Sequence, residues 1–163
     1  MTRKKATLAC LMGFAVTYAI SASADLPKML DYDNIHCYGG ELTIIKHTKA
    51  HIAYTMHLTG TLRSNLPDSP VGLMSSECVG AGSVMEGVAK SNGFCEFIDK
   101  DGDKYMGNWD RTEKEGKWTV TNGTGKFTGV SGGGSIQLIA FPRGLSPGMF
   151  SGCSNSTGTY TLP

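Results

Sequence analysis

The side chains best placed to move a proton in this chain are Glu96 and Glu86, each set among apolar residues at alternate positions. In Phe94-Cys95-Glu96-Phe97-Ile98, Glu96 shares one strand face with Phe94 and Ile98, and Glu86 likewise shares a face with Val84 and Val88. A carboxyl held between apolar walls has a raised pKa and exchanges a proton near neutral pH. Glu96 is therefore the candidate catalytic acid if its face turns inward. The opposite orientation buries Cys95 and Phe97 and leaves Glu96 an ordinary outward charge; alternation alone does not choose between them.

A second group suits binding rather than catalysis. Tyr54, Met56, Tyr105, Trp109 and Trp118 are large apolar or aromatic residues on extended segments, and together they could line a ligand pocket, with hydroxyl or indole donors near its mouth. Taken singly, each is better explained by core packing.

Metal and cofactor chemistry find little support. His36, His47, His51 and His57 are the only histidines, and His51 and His57, on one strand face, stand six residues or roughly 20 Å apart, too far to share one ion. Asp99, Asp101 and Asp103 have the spacing of a calcium loop, but Lys104 stands where an EF-hand requires glycine and Asp110 where it requires glutamate. A plain hairpin tip around Asp101-Gly102 is the expectation. No C-x-x-C pair, nucleophile elbow or cofactor motif occurs, so neither metal nor cofactor is expected.

The elements that must hold these residues are strands. Between His51 and Leu62, Ile52, Tyr54, Met56, Leu58 and Leu62 alternate with polar residues, the period of a half-buried strand. Further extended segments are expected at 35–39, 41–48, 75–90, 94–98, 104–110, 117–121, 135–141 and 149–162, the last broken at Ser154-Asn155-Ser156. The turns between them are read at 63–72, Ser91-Asn92-Gly93, 99–103 and 111–116. No window has convincing helical periodicity. About eight strands at meander spacing favour a closed barrel or a sandwich.

The N-terminus reads as a targeting segment. Arg3, Lys4 and Lys5 precede an apolar run from Ala6 to Ile20, and Ala22-Ser23-Ala24 forms a small-residue cleavage site, so residues 1–24 are expected to be a signal peptide. Residues 25–34 follow as a flexible lead-in, and 35–163 form the single folded domain. Removing 24 of 163 residues leaves 139, and losing three basic residues leaves 12 against 14 acidic, a charge of −2. With that balance and no basic cluster, nucleic acid is not an expected partner, and no later stretch is long enough to span a membrane. A secreted or periplasmic protein is expected, of open oligomeric state.

The glycine-dense stretch Asn122–Gly134 is the sharpest local signal. It lacks a third glycine at the dinucleotide spacing and a P-loop Lys-Ser/Thr, and a β-branched apolar run follows it, so it is a structural corner feeding a strand rather than a phosphate cradle. Its run Gly-Thr-Gly-Lys-Phe-Thr-Gly-Val-Ser-Gly (123–132) resembles the Gly-Thr-Gly-x-Phe-x-Gly-x-x-Gly turn of the allene oxide cyclase and dirigent-like β-barrels. That resemblance implies an all-β fold: a single eight-stranded antiparallel barrel, mainly a meander, with a ligand cavity along its axis and cofactor-free chemistry. The motif covers about a dozen residues and gives no alignment on which active-site residues could be carried over.

Four cysteines remain after the leader: Cys37, Cys78, Cys95 and Cys153. An even number in an exported chain predicts two disulfides, with three pairings open from sequence alone. If the strands follow meander order and close, Cys78 and Cys95 lie on consecutive strands and Cys37 and Cys153 on the first and last, which predicts Cys78–Cys95 and Cys37–Cys153. The functional expectation is an exported barrel binding a small apolar or aromatic molecule. The alternatives are a cofactor-free isomerase or cyclase using Glu96, or a plugged barrel acting as an interaction module.

Overall fold

A computed structural model describes residues 29–113, 115–142, 144 and 146–162; residues 1–24, expected from sequence to be a signal peptide, lie outside them. Eight strands run in sequence order: β1 (Met29–His47), β2 (His51–Ser64), β3 (Leu73–Met85), β4 (Val88–Ile98), β5 (Lys104–Thr112), β6 (Glu115–Gly123), β7 (Ser131–Ala140) and β8 (Met149–Thr161). Every neighbouring pair is antiparallel, and β8 pairs with β1, so the sheet is a closed barrel. Closure leaves no edge strand to pair with another chain.

Period-two alternation decides which residues point inward. On β2 the face read from sequence, Tyr54, Met56, Leu58 and Leu62, is the inner one; on β5 and β6 Tyr105, Trp109, Trp118 and Val120 are buried. On β4 Cys95 and Phe97 are buried and Glu96 faces out. Glu96 accepts a hydrogen bond from Lys104 Nζ at 2.7 Å, an ion pair on the outer wall.

Four local expectations are corrected. The β3–β4 turn is Glu86-Gly87, both at positive φ, whereas Ser91-Asn92-Gly93 lies inside β4. Gly93 is needed there for contact rather than for turning: a Cβ on it would stand 2.6 Å from Trp109 Cζ2 and 2.3 Å from the Val79 carbonyl oxygen. β1 begins at Met29, inside the stretch read as a lead-in, because Tyr32 and Asn34 are buried partners of β8. It then continues unbroken through Gly39-Gly40, as β8 does through Ser154-Asn155-Ser156. Ser154 faces inward and is buried, so its polarity marks a polar inner wall rather than a break.

The two ends of the barrel differ. The end carrying the connections 65–72, 99–103 and 124–130 is filled by Val71, Met74, Tyr105, Phe127 and Tyr160, each at most 3 % exposed. Here the glycine corner forms a short 3₁₀ turn, Gly125–Phe127, that drops Phe127 beside Tyr105, with ring centroids 5.5 Å apart. Lys126 from the same turn is ion-paired to Asp99, whose carboxylate also accepts the backbone N–H groups of Asp101 and Asp103 at 2.8 and 3.0 Å. Burial alone would raise the Asp99 pKa; the hydrogen bonds from Lys126 and the two amides outweigh it and hold the carboxyl below its ordinary value. The acidic tip is thus a hairpin turn tied to the glycine corner by a lysine.

Both disulfides form between directly opposed residues, Cys37–Cys153 across the β8–β1 seam and Cys78–Cys95 across β3–β4. The first lies on the outer face and the second on the inner, where both sulfurs' residues are buried.

Candidate functional site

Above the aromatic floor the barrel is hollow. The cavity measures about 420 Å³ and extends to the end of the barrel opposite that floor, where Val84, Ala89, Arg111, Thr112, Glu113 and Phe141 border it. That size falls within the range of small-molecule sites. Tyr54, Met56, Tyr105, Trp109 and Trp118, the five residues picked from sequence as pocket-lining, all border it. Glu96 does not; it borders an open groove on the outer wall, beside Cys37 and Cys153. Glu86 stands in the exposed β3–β4 turn. Neither carboxylate is available to a molecule inside.

Glycines set the positions of the lining aromatics. Trp109 lies over Gly80 and Gly93, which face each other across β3 and β4; Trp118 lies over Gly107, and Tyr54 over Gly82. In each case a Cβ would fall within 2.7 Å of the ring, so the missing side chain is the space the ring occupies. Phe97 stacks on Tyr105 with centroids 4.8 Å apart and meets the Trp118 ring edge-on at 5.5 Å, joining the cavity wall to the floor.

Sequence reasoning missed the polar groups of the lumen. His36 points inward on β1 and has Nε2 2.8 Å from Ser76 Oγ. Burial pulls its pKa down to about 4, so the imidazole is uncharged at neutral pH. With Ser154 and Ser156 of β8 it gives one side of the cavity a hydrogen-bonding surface opposite the indoles. The inward face of β1, with Tyr32, Asn34, His36 and Tyr38 at alternate positions, carries a period-two signal that the expected lead-in concealed. Below this wall Tyr32 stacks on Tyr160 at 4.3 Å, and burial raises its hydroxyl pKa to about 12.

At the mouth, Arg111 donates from Nη1 to the Tyr38 hydroxyl at 3.0 Å and from Nε to the Thr112 carbonyl at 3.4 Å. Burial raises the Tyr54 hydroxyl pKa, an effect partly offset by the positive charge of Arg111, so Tyr54 remains a neutral donor. Exposed Phe141 also borders the cavity and adds an apolar surface at this end.

This architecture has solved counterparts. One pterocarpan synthase dirigent protein superimposes with a TM-score of 0.50 at 12% identity, over 85% of this chain and 94% of that one. The fold is that of the dirigent-type barrels. A second pterocarpan synthase dirigent protein gives a TM-score of 0.48, also at 12% identity, over 82% of this chain and 95% of that one. No family model and no curated protein matches the sequence. The dirigent-type likeness is one of backbone architecture, and the chemistry of the lumen has to be read from this chain's own residues.

Proposed function

We propose that this dirigent-type barrel is an exported binding protein that encloses a small apolar or aromatic molecule in its lumen. The observation that carries the reading is the cavity of about 420 Å³, walled by Trp109, Trp118, Met56 and Tyr54 and closed below by packed aromatic rings. Removing an aromatic ligand from water onto such walls provides the affinity, while the few polar groups orient it. Export agrees with two cross-strand disulfides, which persist in oxidising compartments.

The two tryptophans of the chain both border the cavity, so the protein carries its own reporter. Titration with a panel of bicyclic aromatics should quench or shift their emission saturably, and native mass spectrometry should show one ligand per chain. No saturable response to any member, together with a native mass equal to the bare oxidised polypeptide, would overturn the proposal.

A cofactor-free isomerase or cyclase is a second reading of the same cavity, favoured by the uncharged, partly desolvated imidazole of His36. Such an enzyme confines a reactive intermediate and moves a proton to or from it. With Glu96 outside, that role falls to His36. On this reading His36→Gln abolishes turnover and spares ligand binding, whereas a carrier loses neither binding nor any measurable turnover.

A further inference from the structure

We infer that the ligand of the lumen is an apolar or aromatic carboxylic acid, its carboxylate held at the mouth by Arg111 with the hydroxyls of Tyr54 and Tyr38. The inference rests on the binding reading above and adds the charge and polarity of the bound molecule.

Tyr54, Gly82, Ser91 and Arg111 are consecutive register partners across β2, β3, β4 and β5, so they form one row of the barrel wall. The two positions between Tyr54 and Arg111 are a glycine and a serine, and the Tyr54 ring lies directly over Gly82. The phenol is therefore free to extend along the row toward the guanidinium, and both residues border the cavity.

The guanidinium has five N–H donors, and the protein uses two of them, on Tyr38 Oη and Thr112 O. Among the described residues no carboxylate lies within 4 Å of Arg111. Glu113, the acidic residue that borders the cavity, instead accepts the Ala89 backbone N–H at 3.3 Å. A cation partly withdrawn from water at the edge of an apolar cavity is costly unless an anion meets it. The Tyr38 hydroxyl already accepts from Arg111, so its own proton points elsewhere, and the Tyr54 hydroxyl stays protonated. Three donors thus border the mouth, and among the described residues no further acceptor is hydrogen-bonded to the remaining Arg111 N–H groups. A carboxylate is the complement of such a set: it has four lone-pair positions and matches the planar guanidinium fork. Its apolar remainder would then lie inward, on Trp109 and Trp118.

The test compares 2-naphthylacetate with the isosteric neutral 2-naphthylacetamide by isothermal titration calorimetry on the purified, disulfide-bonded protein. The expected result is at least tenfold tighter binding of the acid, an advantage that shrinks with added salt and disappears in Arg111→Gln. Tyr54→Phe should reduce the preference in part. Equal binding of acid and amide by the unaltered protein would overturn the inference and leave the binding function standing. A preference retained in Arg111→Gln would overturn the assignment to Arg111. Binding of neither compound would overturn the inference, and the panel titration and native mass described above decide the binding reading separately. The comparison in the unaltered protein decides the ligand's charge whether or not the variants fold.

Discussion

At the scale of single residues, His36 and Glu96 exchange the roles their types suggest. His36 has an ordinary pKa of 6.5 when unfolded and about 4 when folded, so between those values the unfolded chain binds more protons. Stability contributed by the neutral imidazole is complete above about pH 6.5 and declines as the pH falls toward 4. The decline amounts to about 3–4 kcal/mol at most, from roughly 1.4 kcal/mol per pH unit. Denaturation midpoints measured across that window should fall in the native protein and stay flatter in His36→Gln, and NMR should place the imidazole titration near pH 4. Glu96 carries the opposite prediction. Its pair with Lys104 is a surface contact between side chains about one-third exposed, and such pairs contribute about 0–1 kcal/mol. Glu96→Gln should therefore leave stability nearly unchanged and ligand binding in the lumen intact, as thermal melts and titrations would show.

At the scale of elements, glycines and one lysine connect strands that are distant in sequence. Gly93 of β4 lies under the indole that β5 supplies, so Gly93→Ala would push a methyl into Trp109 and into the Val79 carbonyl. Backbone cannot give way as a flexible side chain does, and a loss of about 2 kcal/mol or more is expected, with a shift in tryptophan emission. At the closed end, the Lys126–Asp99 pair fastens the glycine corner to the β4–β5 turn. Lys126→Met would strand a carboxylate whose side chain is only 4 % exposed, a cost of about 2 kcal/mol in chemical denaturation. Because the folded pKa of Asp99 is depressed, its contribution is present above the unfolded value of about 3.9 and is lost as the pH falls through the folded one. The acid side of the stability profile should flatten in that variant.

At the scale of the whole molecule, closure is a long-range event fastened by Cys37–Cys153. That bond spans 116 residues, against 17 for Cys78–Cys95. By loop-closure entropy the seam disulfide contributes about 5 kcal/mol and the hairpin disulfide about 3 kcal/mol. Cys37→Ser with Cys153→Ser should thus cost more than Cys78→Ser with Cys95→Ser in denaturant titrations. An equal or reversed order would show that packing, not chain entropy, governs the difference.

Much of this was legible in the residues themselves. Alternation along 51–62 assigned the inner face of β2, because a strand's side chains alternate whatever it pairs with. The strand spacing and the glycine corner pointed to a closed meander, the cysteine count to two disulfides, and meander order made the two pairings found the natural ones. That Tyr54, Met56, Tyr105, Trp109 and Trp118 belong to the interior was legible because large apolar side chains have few alternatives to it, but packing and lining were not distinguishable. Tertiary structure alone decided the remainder. A one-residue change of phase reverses every side chain on a strand, so the five residues around Glu96 suit either face until β3 and β5 pair with them. Ser91-Asn92-Gly93 has turn composition, yet its glycine serves a ring that arrives from β5. Whether the barrel is hollow depends on how eight sets of side chains fill one cross-section; aromatic rings fill the lower part and leave the upper part open. And the meeting of Tyr54 with Arg111, 57 positions apart in the chain, exists only because four strands align them in one row.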